Sequence, residues 1–209
     1  SKQDVAALGD LVRRAVGTST LFEAFGMAKA TSEQSAPKIE KTQDSEAFGK
    51  LVRRVVVSAP LFEAFGNAKT LHNHNSSRFG KVTRLQFDIQ PENICSLQGS
   101  TYETCLLETS RVVAQGAGER SFHIFYQLLA APRDVKISLL GSGWAEATAA
   151  DFAFLSQSGD GCLAGASDAD SWERTMRALK FFDWKGNSLQ GLAQALGIIL
   201  RLGNLVFED

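Results

Sequence analysis

Cysteine is scarce and badly placed for a scaffold. Cys95, Cys105 and Cys162 are odd in number and none is spaced as Cys-x-x-Cys, which argues against a disulfide framework and a zinc knuckle. Three buried or half-buried free thiols are expected instead. Neither sign of charge dominates: 22 Lys+Arg stand against 23 Asp+Glu, a net charge of −1, so there is no basic face for nucleic acid and no acidic tail. Long hydrophobic runs are missing too. The stretch from Leu196 to Leu202 is interrupted by Gly197 and Arg201, and the N-terminus shows no signal-like apolar segment, so no membrane span is expected. These absences point to a soluble, intracellular protein, and 209 residues are enough for one large domain or two small ones with a real core.

What is present is concentrated in one polar stretch, from Asn67 through Asn73-His74-Asn75-Ser76-Ser77-Arg78 to Gly80-Lys81. Its composition reads as a loop. Hydroxyls are hard ligands for Mg²⁺, amide side chains and loop N–H groups donate to phosphate oxygens, and an arginine pairs bidentately with carboxylate or phosphate. Asn and Ser also fill ordinary turns by bonding their own backbone, so composition leaves both readings open. His72 and His74 have no Cys or His partner at metal-ligand spacing and are expected to be solvent-exposed.

The chain repeats itself. Leu11-Val12-Arg13-Arg14 returns as Leu51-Val52-Arg53-Arg54, Leu21 to Gly26 returns as Leu61 to Gly66, and Ala28-Lys29 matches Ala68-Lys69, all at an offset of 40 (51−11, 61−21). Two units are too few for a solenoid. The copies differ at Met27 and Ala30, where the second has Asn67 and Thr70, and only the second runs on into the polar loop. Residues 31–45, rich in Ser, Thr, Lys, Glu and Gln, bury little and are read as a flexible linker.

Periodicity supplies the elements. Leu51, Val52, Val55 and Val56 fall on one helix face, with a second short helical piece from Pro60 to Gly66. Leu85, Phe87 and Ile89 alternate as a half-exposed strand, Pro91-Glu92-Asn93 turns, and further strands are expected at Cys105 to Leu107 and Arg111 to Val113, together suggesting an antiparallel pair before the break at Gly116-Ala117-Gly118. Glu119 to Ala130 reads as a largely buried helix with Pro132 as its stop and His123 as a packed structural residue. Little can be placed from Ser138 to Ala166. Asp168 to Phe182 reads as a helix with an acidic first turn. The last and clearest helix carries Leu189, Leu192, Leu196, Ile199 and Leu200, with Asn187 or Ser188 as its cap and Gly203 as a left-handed terminator. Leu205-Val206-Phe207 is expected to open a strand.

Leu61-Phe62-Glu63-Ala64-Phe65-Gly66-Asn67-Ala68-Lys69-Thr70, continuing into Asn73-His74-Asn75-Ser76-Ser77-Arg78-Phe79-Gly80-Lys81, resembles the switch I region of the myosin motor domain. Three later stretches agree in the same order: Leu106 to Val113, Gly118 to Leu129, and Leu202 to Phe207. The resemblance covers roughly residues 46–209. It implies a mixed α/β fold, helix-rich with a few antiparallel strands, that forms an incomplete P-loop NTPase motor domain reaching into the upper part of the actin-binding lobe.

The same resemblance implies roles. Asn73 and Asn75 would bind nucleotide, Asn73 through a phosphate. Ser77 would give its hydroxyl to Mg²⁺, and Ser76 would meet the terminal phosphate and help place the attacking water. Arg78 would pair with a glutamate of switch II as the site closes, which suits a reaction that depends on positioning and charge stabilisation. His74 stands where the family often has Asn or Asp. ATP and Mg²⁺ are the implied cofactors, the actin filament and possibly other myosin chains the implied partners, and the cytoplasmic cytoskeleton the implied location.

No stretch of the 209 residues supplies the G-x-x-x-x-G-K-[ST] pattern of a P-loop. The only Asp-x-x-Gly, Asp183 to Gly186, lies out of order for switch II and reads as a turn between helices. Arg78 is accordingly expected to lack a partner within the chain, and the chain alone is expected to hydrolyse ATP poorly or not at all. The organisation expected is a duplicated helix over 1–30, a linker over 31–45 and a partial motor domain over 46–209. Two other readings stand beside the motor fragment: a non-catalytic interaction or regulatory module, and a truncated gene product with no activity of its own.

Overall fold

The computed structural model describes residues 44–89, 95–156 and 167–206. The first copy of the repeat, linker residues 31–43, the turn expected at Pro91, and Phe207 lie outside the described residues.

Helix α1 runs unbroken from Asp44 to Gly66, taking in two residues read as linker. The expected break at Pro60 does not occur. A helical proline removes one N–H, here the partner of the Val56 carbonyl. Val56 is 66% exposed, so water can take that carbonyl, while the buried Ser58 hydroxyl donates to Val55 O at 2.8 Å. Beyond the proline, Leu61, Phe62, Ala64 and Phe65 all enter the core, at the three-and-four spacing of one helix face.

Strand β1 (Asn67–Ala68) pairs antiparallel with β2 (Ser76–Ser77), and β3 (Gly80–Ile89) with β4 (Cys95–Cys105). Among the described residues these are two separate two-stranded sheets. The alternating strand is therefore real, but it begins at Gly80. Its partner stops where a strand was expected to start: the register ends at Gly80 opposite Cys105, and Leu106 turns the chain out of the ladder with φ 56. The expected strand at Arg111 is a 3₁₀ turn, Thr109–Val112. Such a turn stacks i above i+3 and so lets Arg111 reach Glu108. Cys105 is exposed, contrary to the expectation of buried or half-buried thiols.

Helix α2 (His123–Leu129) starts four residues later than its apolar spacing suggested. Phe122 is extended (φ −57, ψ 141) and bridges to Ala68, so the residues before it are drawn into pairing with β1. Every residue from Ser121 to Leu129 is buried. Pro132 then caps α3 (Arg133–Leu140), an element that had no signal in the sequence. The 3₁₀ turns Ser142–Trp144 and Ala149–Asp151 and the short α4 (Ala153–Ser156) lie in the part of the unplaced stretch that the structure describes; residues 157–166 lie outside the described residues.

Helix α5 (Asp168–Phe181) matches expectation, with the Ser167 hydroxyl accepting from Asp170 N at 2.9 Å. Helix α6 (Asn187–Leu202) also matches, but neither end is built as expected. Gly186 with φ 53 opens it, and no side chain caps it. Gly203 is right-handed (φ −65, ψ −23). Its missing side chain serves packing, because a Cβ there would lie 2.7 Å from the Phe154 ring. Leu205 and Val206 are exposed and form no strand. Asp183 to Gly186 is the expected turn between α5 and α6.

One core joins these parts. The second half of α1 packs on α2 and α5, α2 packs on α5, and α3 packs on α6, with Trp144 stacked on Phe152 at 5.1 Å. Where α2 meets α5, the buried Thr175 hydroxyl donates to Gln127 Oε1 at 2.8 Å. The buried Lys136 ammonium donates to the carbonyls of Leu129 and Ala147 at 3.2 and 3.1 Å. The result is helix-rich with a few antiparallel strands, and no helix among the described residues is long and apolar enough to cross a membrane.

Candidate functional site

The polar loop rises from the core between β1 and β2. Its root is tied in three places: Arg78 N donates to Gly66 O at 2.8 Å, Arg120 N to Lys69 O at 3.0 Å, and Glu108 N to Arg78 O at 2.9 Å. Gly66 is required at the entry, since a Cβ there would sit 2.3 Å from the Phe79 ring. The tip is a set of local turns. Thr70 N donates to Asn73 O at 2.8 Å, and the Thr70 hydroxyl accepts from Asn73 N at 3.1 Å. Asn73 Oδ1 accepts from Asn75 N at 2.8 Å.

Each candidate residue is held through one part of its side chain. Asn73 is exposed and commits its oxygen to Asn75 N, leaving its NH₂ as a donor suited to an anion. Ser77 is exposed and donates to Phe79 O at 3.0 Å, which leaves oxygen lone pairs, the feature a hard cation uses. Ser76 is half-buried, and its oxygen accepts from Arg78 Nη1 at 3.2 Å, leaving its proton to donate. These polarities match those wanted by a phosphate and its Mg²⁺. Asn75 differs: its Oδ1 accepts from Asn67 Nδ2 at 2.9 Å and faces His123 Nε2 at 3.2 Å. Asn75 thus links the tip to α2. His72 and His74 are exposed, as expected.

The His123 contact fixes a tautomer. Asn75 Oδ1 can only accept, so Nε2 carries the proton. Burial, helped by the nearby Arg120 charge, pushes the imidazole down to about 4, so it is neutral at pH 7 and a structural residue.

Arg78 is not partnerless. Its Nε lies 2.5 Å from Glu108 Oε2. The same oxygen takes Arg111 Nε at 2.9 Å, and Arg111 Nη1 reaches Glu119 Oε2 at 3.0 Å. Arg111 is buried, and burial alone would raise both carboxyls. Arg111 and Arg78 outweigh it at Glu108, as Arg111 does at Glu119, so both acids sit below the usual carboxylate range. The Arg111 guanidinium is raised in turn: burial opposes its charge, and Glu108 and Glu119 favour it. Sequence reasoning assigned nothing to this four-membered chain of charge. The signal was available in part, since Glu108 and Arg111 stand three apart.

Next to the loop, a cavity of about 410 Å³ opens between α1, α2 and α5, lined among others by Pro60, Glu63, His74, Asn75, Gln127 and Arg174. Among the described residues no group of three or more His, Cys, Asp or Glu could hold a metal.

Comparison with known proteins shows the family. The family model for the myosin head (motor domain) matches residues 34–209. The chain belongs to the myosin head family. It is 40% identical over 139 residues to unconventional myosin-Ih of Homo sapiens, covering 66% of this chain and 13% of that protein. It is likewise 40% identical over 137 residues to unconventional myosin IC of Drosophila melanogaster, again 66% and 13%. Against the non-muscle myosin-2 heavy chain of Acanthamoeba castellanii the figures are 37% over 139 residues, 66% and 9%. The chain therefore spans about an eighth or less of these relatives.

Proposed function

We propose that the loop from Asn67 to Arg78 is the switch I element of an ATP-driven, actin-based motor, and that this myosin head segment contributes it to a Mg²⁺-ATP site. The observation that supports this reading most is the matched polarity of three neighbouring side chains. Asn73 offers an amide donor, Ser76 a hydroxyl proton and Ser77 oxygen lone pairs, each fixed by a different internal hydrogen bond. In this reading Asn73 binds a nucleotide phosphate, Ser77 ligates Mg²⁺, and Ser76 meets the terminal phosphate. Asn75 contributes by bracing the loop against α2, and Arg78, beside Ser76 and already paired with Glu108, exchanges that partner for a carboxylate of switch II as the site closes. The 209 residues hold neither a phosphate-binding-loop pattern nor an in-order switch II, so in this reading the segment contributes one part of a P-loop NTPase site. Actin is the proposed partner and the cytoskeleton the proposed location.

The test is a chimera in which residues 46–206 replace the matching segment of human unconventional myosin-Ih. The chimera should keep actin-activated Mg²⁺-ATPase activity, and Ser77→Ala should lower it by about 100-fold, the usual scale for losing one stabilising contact in a reacting centre. A folded chimera whose ATPase rate is unchanged by Ser77→Ala and Asn73→Ala would overturn the proposal.

A further inference from the structure

The charge chain at the loop root reaches both arms of the loop. The arm that leaves β1 runs through Lys69 and Leu71, and the arm that returns through β2 ends at Arg78. The ladder between them pairs only Asn67 with Ser77 and Ala68 with Ser76. Arg78 lies on the core side of that ladder and Leu71 on the tip side, so strand pairing does not connect them.

Side chains make the connection. Arg78 Nε donates to Glu108 Oε2 at 2.5 Å. Arg111 grips Glu108 with two nitrogens, Nε at 2.9 Å and Nη2 at 3.2 Å, and turns its third, Nη1, to Glu119 Oε2 at 3.0 Å and to the Arg120 carbonyl at 3.3 Å. The residues around Glu119 lie along the outgoing arm. Arg120 N donates to Lys69 O at 3.0 Å, a Cβ on Gly118 would come within 3.2 Å of the Leu71 side chain, and Leu71 N donates to the Glu119 carboxylate. One buried guanidinium, that of Arg111, thus stands between the partner of Arg78 and the segment that holds Leu71.

Sharing one oxygen gives this chain a direction. Arg78 and Arg111 carry like charges that converge on Glu108 Oε2, so each weakens the other's hold. Should Arg78 leave, Glu108 would bind Arg111 more strongly, and a planar guanidinium moves as a unit. Drawn toward Glu108, it would pull Nη1 away from Glu119 and from the Arg120 carbonyl.

We propose that Arg111 and Glu119 are positioning residues that clasp the outgoing arm of the loop, and that the clasp loosens when Arg78 exchanges Glu108 for another carboxylate. Asn73, two residues beyond Leu71, would gain freedom at that moment. The clasp is built from the chain's own contacts; only the event that moves it, a second carboxylate for Arg78, rests on the proposed switch I reading.

Amide hydrogen exchange of the full 209-residue chain, followed residue by residue by NMR at neutral pH without nucleotide, tests it. Glu119→Gln should speed exchange at Leu71 by about tenfold, the scale of one charge-assisted hydrogen bond. Glu119→Asp, which keeps the charge and shortens its reach, stands in should Glu119→Gln fold poorly. Arg78→Met vacates Glu108 and should speed exchange at Leu71 by about threefold, a coupling typical of neighbours in one charge network. In the Glu119→Gln background the same change should add nothing. The amide of Asn204, in the distant turn after α6, should keep its rate throughout. No effect of Arg78→Met at Leu71, an effect that survives undiminished in Glu119→Gln, or equal acceleration at Asn204 would each overturn the proposal. With no nucleotide present these outcomes leave the switch I reading standing, and a chimera insensitive to Ser77→Ala would leave the clasp standing.

Discussion

The root and the tip of the polar loop are built from different materials. The root combines a close backbone approach at Gly66, a buried Arg111 and two carboxylates held charged beside it. The tip, from Thr70 to Asn75, is secured by exposed hydrogen bonds, two between side chain and backbone and one between the Asn67 and Asn75 side chains. Exposed hydrogen bonds exchange freely with water and contribute little each, whereas a buried charge stripped of its partner is costly. A loop made this way keeps its origin and direction while its tip stays adaptable, as the proposed switch I role requires.

The contrast can be broken at the root first. Arg111→Ala leaves Glu108 and Glu119 without their buried counter-ion and should cost about 3 kcal/mol, read as a fall in the urea midpoint. Arg111→Lys should rescue it poorly, because one ammonium cannot reproduce the fork that spans both acids.

The contact between α2 and the tip comes next, and it depends on pH. Folded His123 titrates at about 4 against an ordinary 6.5, so between those values the unfolded chain takes up a proton that the folded chain refuses. Its contribution is complete above pH 6.5 and is lost as the pH falls toward 4, by about 3 kcal/mol at most. His123→Gln should flatten this part of the stability profile measured by thermal melts. Glu108 and Glu119, depressed below 4.5, lose their contribution only at lower pH, and that acid limb should persist in the variant.

The smallest effect belongs to the tip itself. Asn67→Ala removes an exposed hydrogen bond to Asn75 and should cost no more than about 1 kcal/mol while measurably speeding exchange of the loop amides. Equal costs for Asn67→Ala and Arg111→Ala would erase the distinction between root and tip.

Local rules served the sequence reading well where one element satisfies itself. Helices α5 and α6 follow their apolar stripes almost to the residue, and the asparagine and serine cluster announced a loop. The failures have a common physical origin in partners distant along the chain. Pro60 looks like a helix start until Val56 is known to face water. Gly203 looks like a left-handed terminator until Phe154 is found against it, 49 residues earlier (203−154). Phe122 has the spacing of a helical residue but pairs with Ala68, and Arg78 finds Glu108 thirty residues away. At the candidate site, Asn73, Ser76, Ser77 and Arg78 could be named from their order, but the bonds that orient them are tertiary. No periodicity encodes these.

The junction between the β3–β4 hairpin and the helical body has a mechanical consequence. The ladder ends at Gly80 opposite Cys105, and the left-handed Leu106 follows at once. Arg78 lies two residues before Gly80 and Glu108 two residues after Leu106, and these are the two members of the ion pair at the loop root. The hairpin is thus a lever arm with a short axle: a force applied along its length is delivered to both halves of one salt bridge and pulls on the bond that sets the arginine beside Ser76.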